Sequence, residues 1–91
     1  MDKKYHVEFS KRALKDLKKM DGYTGTMLVN WINKNLENCE NPFFTGKALK
    51  GNLINFWRYR VGDYRIIANI EDEKLIILLV KIGHRRDVYK K

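Results

Sequence analysis

The sequence predicts an α+β fold in which a two-helix hairpin packs on an antiparallel sheet, in the order β-α-α-β-β-β. Three observations predict it. Residues 53–61 (LINFWRYRV) and 64–70 (YRIIANI) flank Gly62-Asp63, a two-residue hairpin loop whose glycine can take the positive φ such turns need. Residues 11–20 and 24–39 instead repeat apolar side chains at helical spacing. Residues 75–82 (LIILLVKI) are almost wholly apolar, the pattern of a strand covered on both faces. Two helices layered against an antiparallel sheet satisfy all three.

Taken in order, residues 4–9 (KYHVEF) alternate, with Tyr5, Val7 and Phe9 on one side, and read as a short strand. Ser10 stands where a helix N-cap belongs, because its hydroxyl can accept a free backbone N–H. The helix after it, to about Met20, gathers Ala13, Leu14, Leu17 and Met20 on one face, with Lys11, Lys15, Lys18 and Lys19 mostly on the other. Asp21-Gly22 breaks it. A second helix, from about Thr24 to Cys39, carries Leu28, Trp31, Ile32, Leu36 and Cys39 at helical spacing. The short gap between the helices predicts antiparallel packing. Asn41-Pro42 stops the second helix. Residues 43–52 (FFTGKALKGN) form a connection, and the acidic turn 71–74 joins the last two strands.

These elements make one domain, residues 1–91. A domain of this size buries only about 60% of its unfolded surface, so spare stability is small. Cys39 is the single cysteine, so no internal disulfide is available and the fold must stand on its core. With 44% hydrophobic residues and only Pro42 as proline, the chain is too apolar for a disordered basic tail. No stretch approaches the ~20 apolar residues of a membrane span. The start, MDKKYHVEFSKR, has charges where a signal peptide needs its apolar region. The expectation is a soluble, cytoplasmic domain with no membrane partner. Its net charge of +8 makes an anionic partner, nucleic acid first, the natural one.

The cations are of two kinds. Residues 1–50 hold many lysines but a single arginine, Arg12, and the helix lysines read as a solvated face. Arg58, Arg60, Arg65, Arg85 and Arg86 lie in the sheet or just after it. Arginine's planar fork suits bidentate phosphate contact. With Gly62-Asp63 as the loop, Val61 faces Tyr64, Arg60 faces Arg65, Tyr59 faces Ile66, and Arg58 shares the face of Arg60. Like charges directly opposite are destabilising by a few tenths of a kcal/mol or more. Such a patch persists if a carboxylate (Asp63, Glu8 or Glu71) intervenes, or if it exists to hold an anion. The segment Gly83-His84-Arg85-Arg86-Asp87-Val88-Tyr89 adds a titratable histidine, two arginines and a tyrosine.

No paired-carboxylate motif, zinc-ligand spacing or phosphate-binding glycine loop is present, so neither a metal nor a cofactor is expected. Cys39 reads as a small core residue. His6 reads as exposed, and Trp31 and Trp57 as core. Base stacking by Tyr59 or Phe56 stays open.

The segments LKGNLINFWRYRVGDYRIIANIEDEKLIILLVKIGHRRDVY and VEFSKRALKDLKKM closely resemble the RelE/ParE superfamily of bacterial toxins. The likeness covers essentially the whole chain. It is most specific in Leu-Lys-Gly…Trp-Arg-Tyr-Arg-Val-Gly-Asp-Tyr-Arg followed by Gly-His-Arg…Val-Tyr. The resemblance implies a microbial-ribonuclease-type fold neutralised by a cognate antitoxin, a small protein with an acidic toxin-binding segment. In the RelE-like branch the toxin cuts mRNA on the ribosome, in the A site; the ParE-like branch poisons DNA gyrase and lacks most of the basic set. This chain keeps the set. Arg58, Arg60 and Arg65 match the family's basic strand positions, Arg85 and Tyr89 its C-terminal motif, and Lys50 a residue that holds RNA.

The expected activity is therefore a metal-independent endoribonuclease of the RelE-like branch. Arg58, Arg60, Arg65, Arg85, Tyr89 and His84 form the catalytic set, and Lys47, Lys50, Arg86 and Lys90 hold RNA. The best-studied members have lysines at the positions of Arg58 and Arg60, and a longer segment before the final tyrosine. Arginine stays protonated, so Arg58 is a poor general base; His84, whose ordinary pKa is near neutrality, is better suited. A gyrase poison and a non-enzymatic nucleic-acid-binding module are the alternatives.

Overall fold

The chain runs through β1 (His6–Phe9), α1 (Lys11–Lys18), α2 (Gly22–Asn35), β2 (Lys47–Ala48), β3 (Phe56–Val61), β4 (Tyr64–Glu71) and β5 (Ile76–His84). The computed structural model describes residues 3–49 and 56–84. One five-stranded sheet has the order β1-β5-β4-β3-β2. The β3-β4-β5 meander is antiparallel, with the hairpin register that Gly62-Asp63 predicts. Gly62 takes φ 59° in that turn.

Two features differ from a wholly antiparallel sheet. β2, only two residues long, forms inside the 43–52 connection and pairs with β3. β1 lies parallel to β5, His6 opposite Ile76 and Phe9 opposite Leu79, so the sheet is mixed. Parallel neighbours need a long crossover rather than a tight turn. Here both helices and three strands intervene between the two.

Both helix starts are capped by side chains. The Ser10 hydroxyl accepts from the Ala13 N–H at 3.0 Å. Asp21, expected only as a breaker, accepts from the Thr24 N–H at 3.1 Å and so starts α2 at Gly22. α2 ends at Asn35, short of Cys39. The reason is competition for backbone groups: the Asn38 N–H donates to the Tyr5 carbonyl at 2.8 Å, and the Tyr5 N–H to the Cys39 carbonyl at 2.9 Å. Asn38, at φ 64°, makes the left-handed step that allows it.

The core lies between the helices and one face of the sheet. Ala13, Leu28, Ile32 and Leu36 meet Tyr59, Val61, Ile66, Ala68, Ile77, Leu79 and Ile82. The other face of β5, expected to be covered, is half-buried at Ile76, Leu78 and Val80.

A β-bulge decides which residues of β5 face the core. The partner of Ile67 is Lys81 and the partner of Ala68 is Leu79, which leaves Val80 as the extra residue. The insertion shifts the alternation by one, so Leu79 and Ile82 both point at the helices. β1 has already ended there, and α1 supplies the missing partners. The Ser10 hydroxyl donates to the Val80 carbonyl at 3.1 Å, and the Asp16 carboxylate accepts from the Ile82 N–H at 3.0 Å.

Candidate functional site

The face of the sheet away from the helices carries its cations in rows. Lys47 of β2 lies opposite Arg58 of β3, Arg58 opposite Ile67 of β4, and Ile67 opposite Lys81 of β5. The next row holds Arg60, Arg65 and Gly83. Five cations thus share one face of four strands, and two pairs of them are direct cross-strand neighbours. Each like-charged pair costs stability. Among the described residues, no carboxylate forms an ion pair with Arg60 or Arg65; Glu71 pairs with Lys74 at 3.7 Å. Among the described residues, then, none of Asp63, Glu8 and Glu71 neutralises the Arg60/Arg65 pair.

Arg65 is the unusual member. It is only 7% exposed, the one buried charged residue among those described. Its Nη1 donates to the neighbouring Tyr64 carbonyl at 3.2 Å, and its buried Nε has no partner. The residue opposite is Gly83, which has no side chain to compete for the space. A buried guanidinium with an unused donor is costly unless something anionic completes it. Arg60, directly opposite, is exposed. The pair thus sets one buried and one exposed guanidinium directly opposite each other.

Lys81 belongs to this face by register, and sequence reading passed it over. It is the one charge in an apolar run, but the bulge that sets its direction leaves no mark in the sequence. The structure does not bring His84 to the arginines. His84 lies opposite Tyr64, on the helix-side face, with the two rings edge-to-face at 5.6 Å between centroids. There it lines a cleft of about 450 Å³ with Tyr64, Arg12, Asp16 and also Lys81, whose place in the arginine rows is one of strand register. Lys50, Arg85, Arg86, Tyr89 and Lys90 lie outside the described residues.

Lys47, Arg58 and Arg60 also line a pocket of about 200 Å³ with Trp31, Thr45 and Gly46. Gly46 makes this pocket wall. At φ 85° it sits so close to β3 that an added Cβ would clash with the Arg58 carbonyl and the Trp57 indole. The Trp57 Nε1–H donates to the Thr45 carbonyl at 2.7 Å.

Tyr59 is fully buried and donates its hydroxyl to the Pro42 carbonyl, so it cannot stack on a base. Burial holds its pKa far above the ordinary tyrosine value. Burial likewise raises the Cys39 thiol above its usual range, which works against a nucleophilic role. Among the described residues, no three His, Cys, Asp or Glu side chains gather as a metal site. No helix among them is long and apolar enough to cross a membrane.

Known proteins share both the sequence pattern and the fold. Residues 7–89 match the family model described as the ParE toxin of the type II toxin–antitoxin system parDE. Toxin RelG of Mycobacterium tuberculosis is 29% identical over 96% of this chain and 98% of its own length. The mRNA interferase toxin RelE of Escherichia coli strain K12 is 28% identical over 89% of this chain and 83% of its own. Among solved structures, a chain of the toxin–antitoxin complex RelBE2 from Mycobacterium tuberculosis superposes with a TM-score of 0.82 at 28% identity, covering 92% of this chain and 94% of that one. With the mixed sheet, the paired helices and the arginine face in place, the chain belongs to the RelE/ParE family of type II toxin–antitoxin toxins.

Proposed function

We propose that this toxin is a ribosome-dependent endoribonuclease that cuts mRNA in the ribosomal A site, and that a cognate antitoxin holds it inactive in the cytoplasm. The observation that carries the reading is Arg65, buried with an unpartnered donor inside a face of five cations. A phosphate is the anion that such a face fits. The name of the Escherichia coli relative, an mRNA interferase, supports the same reading. Relatives solved as RelB–RelE complexes support the antitoxin.

The reaction is transesterification. The 2′-hydroxyl attacks the adjacent phosphorus, the bond to the 5′-oxygen breaks, and the products are a 2′,3′-cyclic phosphate and a free 5′-hydroxyl. Negative charge grows on the phosphoryl oxygens, and guanidinium groups fixed beforehand stabilise it. Arg65 and Arg85 clamp the phosphate; Arg58 and Arg60 strengthen the field and hold the RNA backbone, with Lys47, Lys50, Arg86 and Lys90 further along the strand. Tyr89 stacks on a base or orients the 2′-hydroxyl. The proton passes through Tyr89, because His84 lies on the helix-side face away from the arginines, and a His84→Gln variant is expected to keep the wild-type pH profile. Lacking a standard acid–base pair, the toxin depends on the ribosome for orientation, worth up to about 7–11 kcal/mol in well-aligned systems.

The test maps mRNA 5′ ends after brief expression, with Arg65→Ala and Arg85→Ala as controls. Cuts at codon positions that vanish in both variants support the reading. Growth arrest without cuts refutes it. The matched family model bears the ParE name, which favours a gyrase poison as the second reading. A DNA-damage response and a supercoiling defect on induction would establish that one.

A further inference from the structure

The segment between α2 and β2 has a property that the phosphate face does not explain. Phe44, at its apex, is 84% exposed, more than any other large hydrophobic residue among those described. Such a ring on a floppy loop would be unremarkable, but this loop is pinned along its length. The buried Tyr59 hydroxyl holds the Pro42 carbonyl. The Asn41 side chain accepts from the Phe43 N–H at 3.0 Å, and the Asn41 carbonyl accepts from the Phe44 N–H at 3.2 Å. Phe43 packs edge-on against Trp57, ring centroids 5.0 Å apart. Trp57 in turn binds the Thr45 carbonyl, and Gly46 seats the next residue against β3. The backbone freedom of this segment has been met in the fold, so a planar partner meeting Phe44 need not order the loop again.

Phe44 forms one wall of a hollow of about 370 Å³. Leu36, Cys39 and Pro42 make its floor, and Asn35, Asn41 and the exposed Glu40 carboxylate stand at its rim. An aromatic wall, an apolar floor and an amide rim are what an unpaired nucleobase uses: a face to stack on and groups to meet its edge. Thr45 belongs both to this hollow and to the pocket of Lys47, Arg58 and Arg60. A base site thus adjoins a phosphate site across one residue. Aromatic side chains beside a cationic track are the recurring way of holding single-stranded nucleic acid.

We propose that the Phe44 hollow is a base-binding subsite for the mRNA strand being cut: it seats an unpaired base flanking the scissile phosphate, while Lys47, Arg58 and Arg60 hold the phosphates between. The inference rests on the reading of the chain as an RNA-cutting toxin. It adds that the toxin grips its strand at a second place, outside the reacting nucleotide.

The test measures binding of a fluorescein-labelled single-stranded oligoribonucleotide to the purified full-length toxin at low salt. Phe44→Ala is expected to weaken binding about tenfold, the usual loss for one stacked base. Phe44→Leu, which keeps the apolar bulk, is expected to lose as much, and Phe44→Trp to retain affinity with quenched indole fluorescence. Because Phe44 is exposed, melting temperatures should stay together. An abasic nucleotide walked along the oligomer then locates the base: at one position its effect and that of Phe44→Ala should not add. Equal affinity in wild type and Phe44→Ala, with Arg58→Ala/Arg60→Ala weakened, overturns the subsite and leaves the RNA-cutting reading standing. No RNA binding by wild type above that arginine variant, with no mRNA cuts on expression, overturns both. Unchanged RNA affinity in Phe44→Ala with weaker capture of the antitoxin assigns the hollow to the antitoxin and overturns the proposal.

Discussion

Residues 65 and 66 are neighbours in β4 and belong to opposite worlds. Ile66 points at the helices, fully buried and packed with Tyr59 and Ile82 across the strands. Arg65 points the other way, nearly as buried, with an unused donor and a like charge directly opposite. On the helix side, the groups that could be orphaned are provided for: Tyr59 reaches the Pro42 carbonyl, Ser10 the Val80 carbonyl, and Asp16 the Ile82 N–H. The arginine face shows no comparable care around Arg60 and Arg65. One side of the sheet answers its polar groups from within the chain; on the other, among the described residues, the buried Arg65 Nε has no partner.

Substitution on either side should separate these roles, and the largest effect is expected in the core. Ile66→Ala leaves a cavity and should cost about 2–5 kcal/mol in denaturant unfolding, with toxicity falling only as the folded population falls. Arg65→Met is the reverse case. It should abolish growth arrest and slow mRNA cleavage at least about 100-fold. Its unfolding midpoint should be equal to or above wild type, because an incompletely satisfied buried charge has been removed. A large loss of stability in Arg65→Met would erase the distinction between the faces.

Asp16→Ala comes next. It strands the Ile82 N–H at the bulge and should cost about 1–3 kcal/mol, while Asp16→Asn, which keeps an acceptor, should recover most of it. Hydrogen exchange at the Ile82 amide reads the effect directly. The smallest expected effect is at Glu37, whose carboxylate accepts from the Val7 N–H at 2.8 Å and meets His6 Nδ1 at 3.2 Å. The Val7 hydrogen bond and then His6 hold its pKa below the ordinary 4.5. The unfolded chain therefore binds this proton more readily, so the stabilisation is full above pH 4.5 and fades as pH falls through the lower folded value. Wild type should exceed Glu37→Gln by roughly 0.2–1 kcal/mol at neutral pH, and the gap should close in acid titrations.

The sequence made the hairpin legible because its turn chemistry is local. Gly62-Asp63 sets the register of six residue pairs, and so the Arg60/Arg65 opposition. Ser10 and the break at Asp21-Gly22 are local too. What escaped was set by distant partners. α2 stops early because Tyr5, more than thirty residues before, claims the backbone of Asn38 and Cys39. β1 pairs parallel with β5, a choice that no turn encodes. The bulge at Val80 matters most for the site. Were Val80 paired in the ladder, unbroken alternation from Leu79 would put His84 on the arginine face. Nothing local marks Val80 as the extra residue, and the carboxylate that accepts from the Ile82 N–H beyond it lies 66 positions away.

The parallel docking of β1 on β5 also orders events during synthesis. His6 to Phe9 leave the ribosome about seventy residues ahead of their strand partner, Ile76 to Leu79. The N-terminal strand must wait unpaired, and the sheet closes only when the final strand arrives, which makes this contact a late and slow one to form. A chain cut short within β5 therefore loses two strands instead of one, and with them the seat of α1.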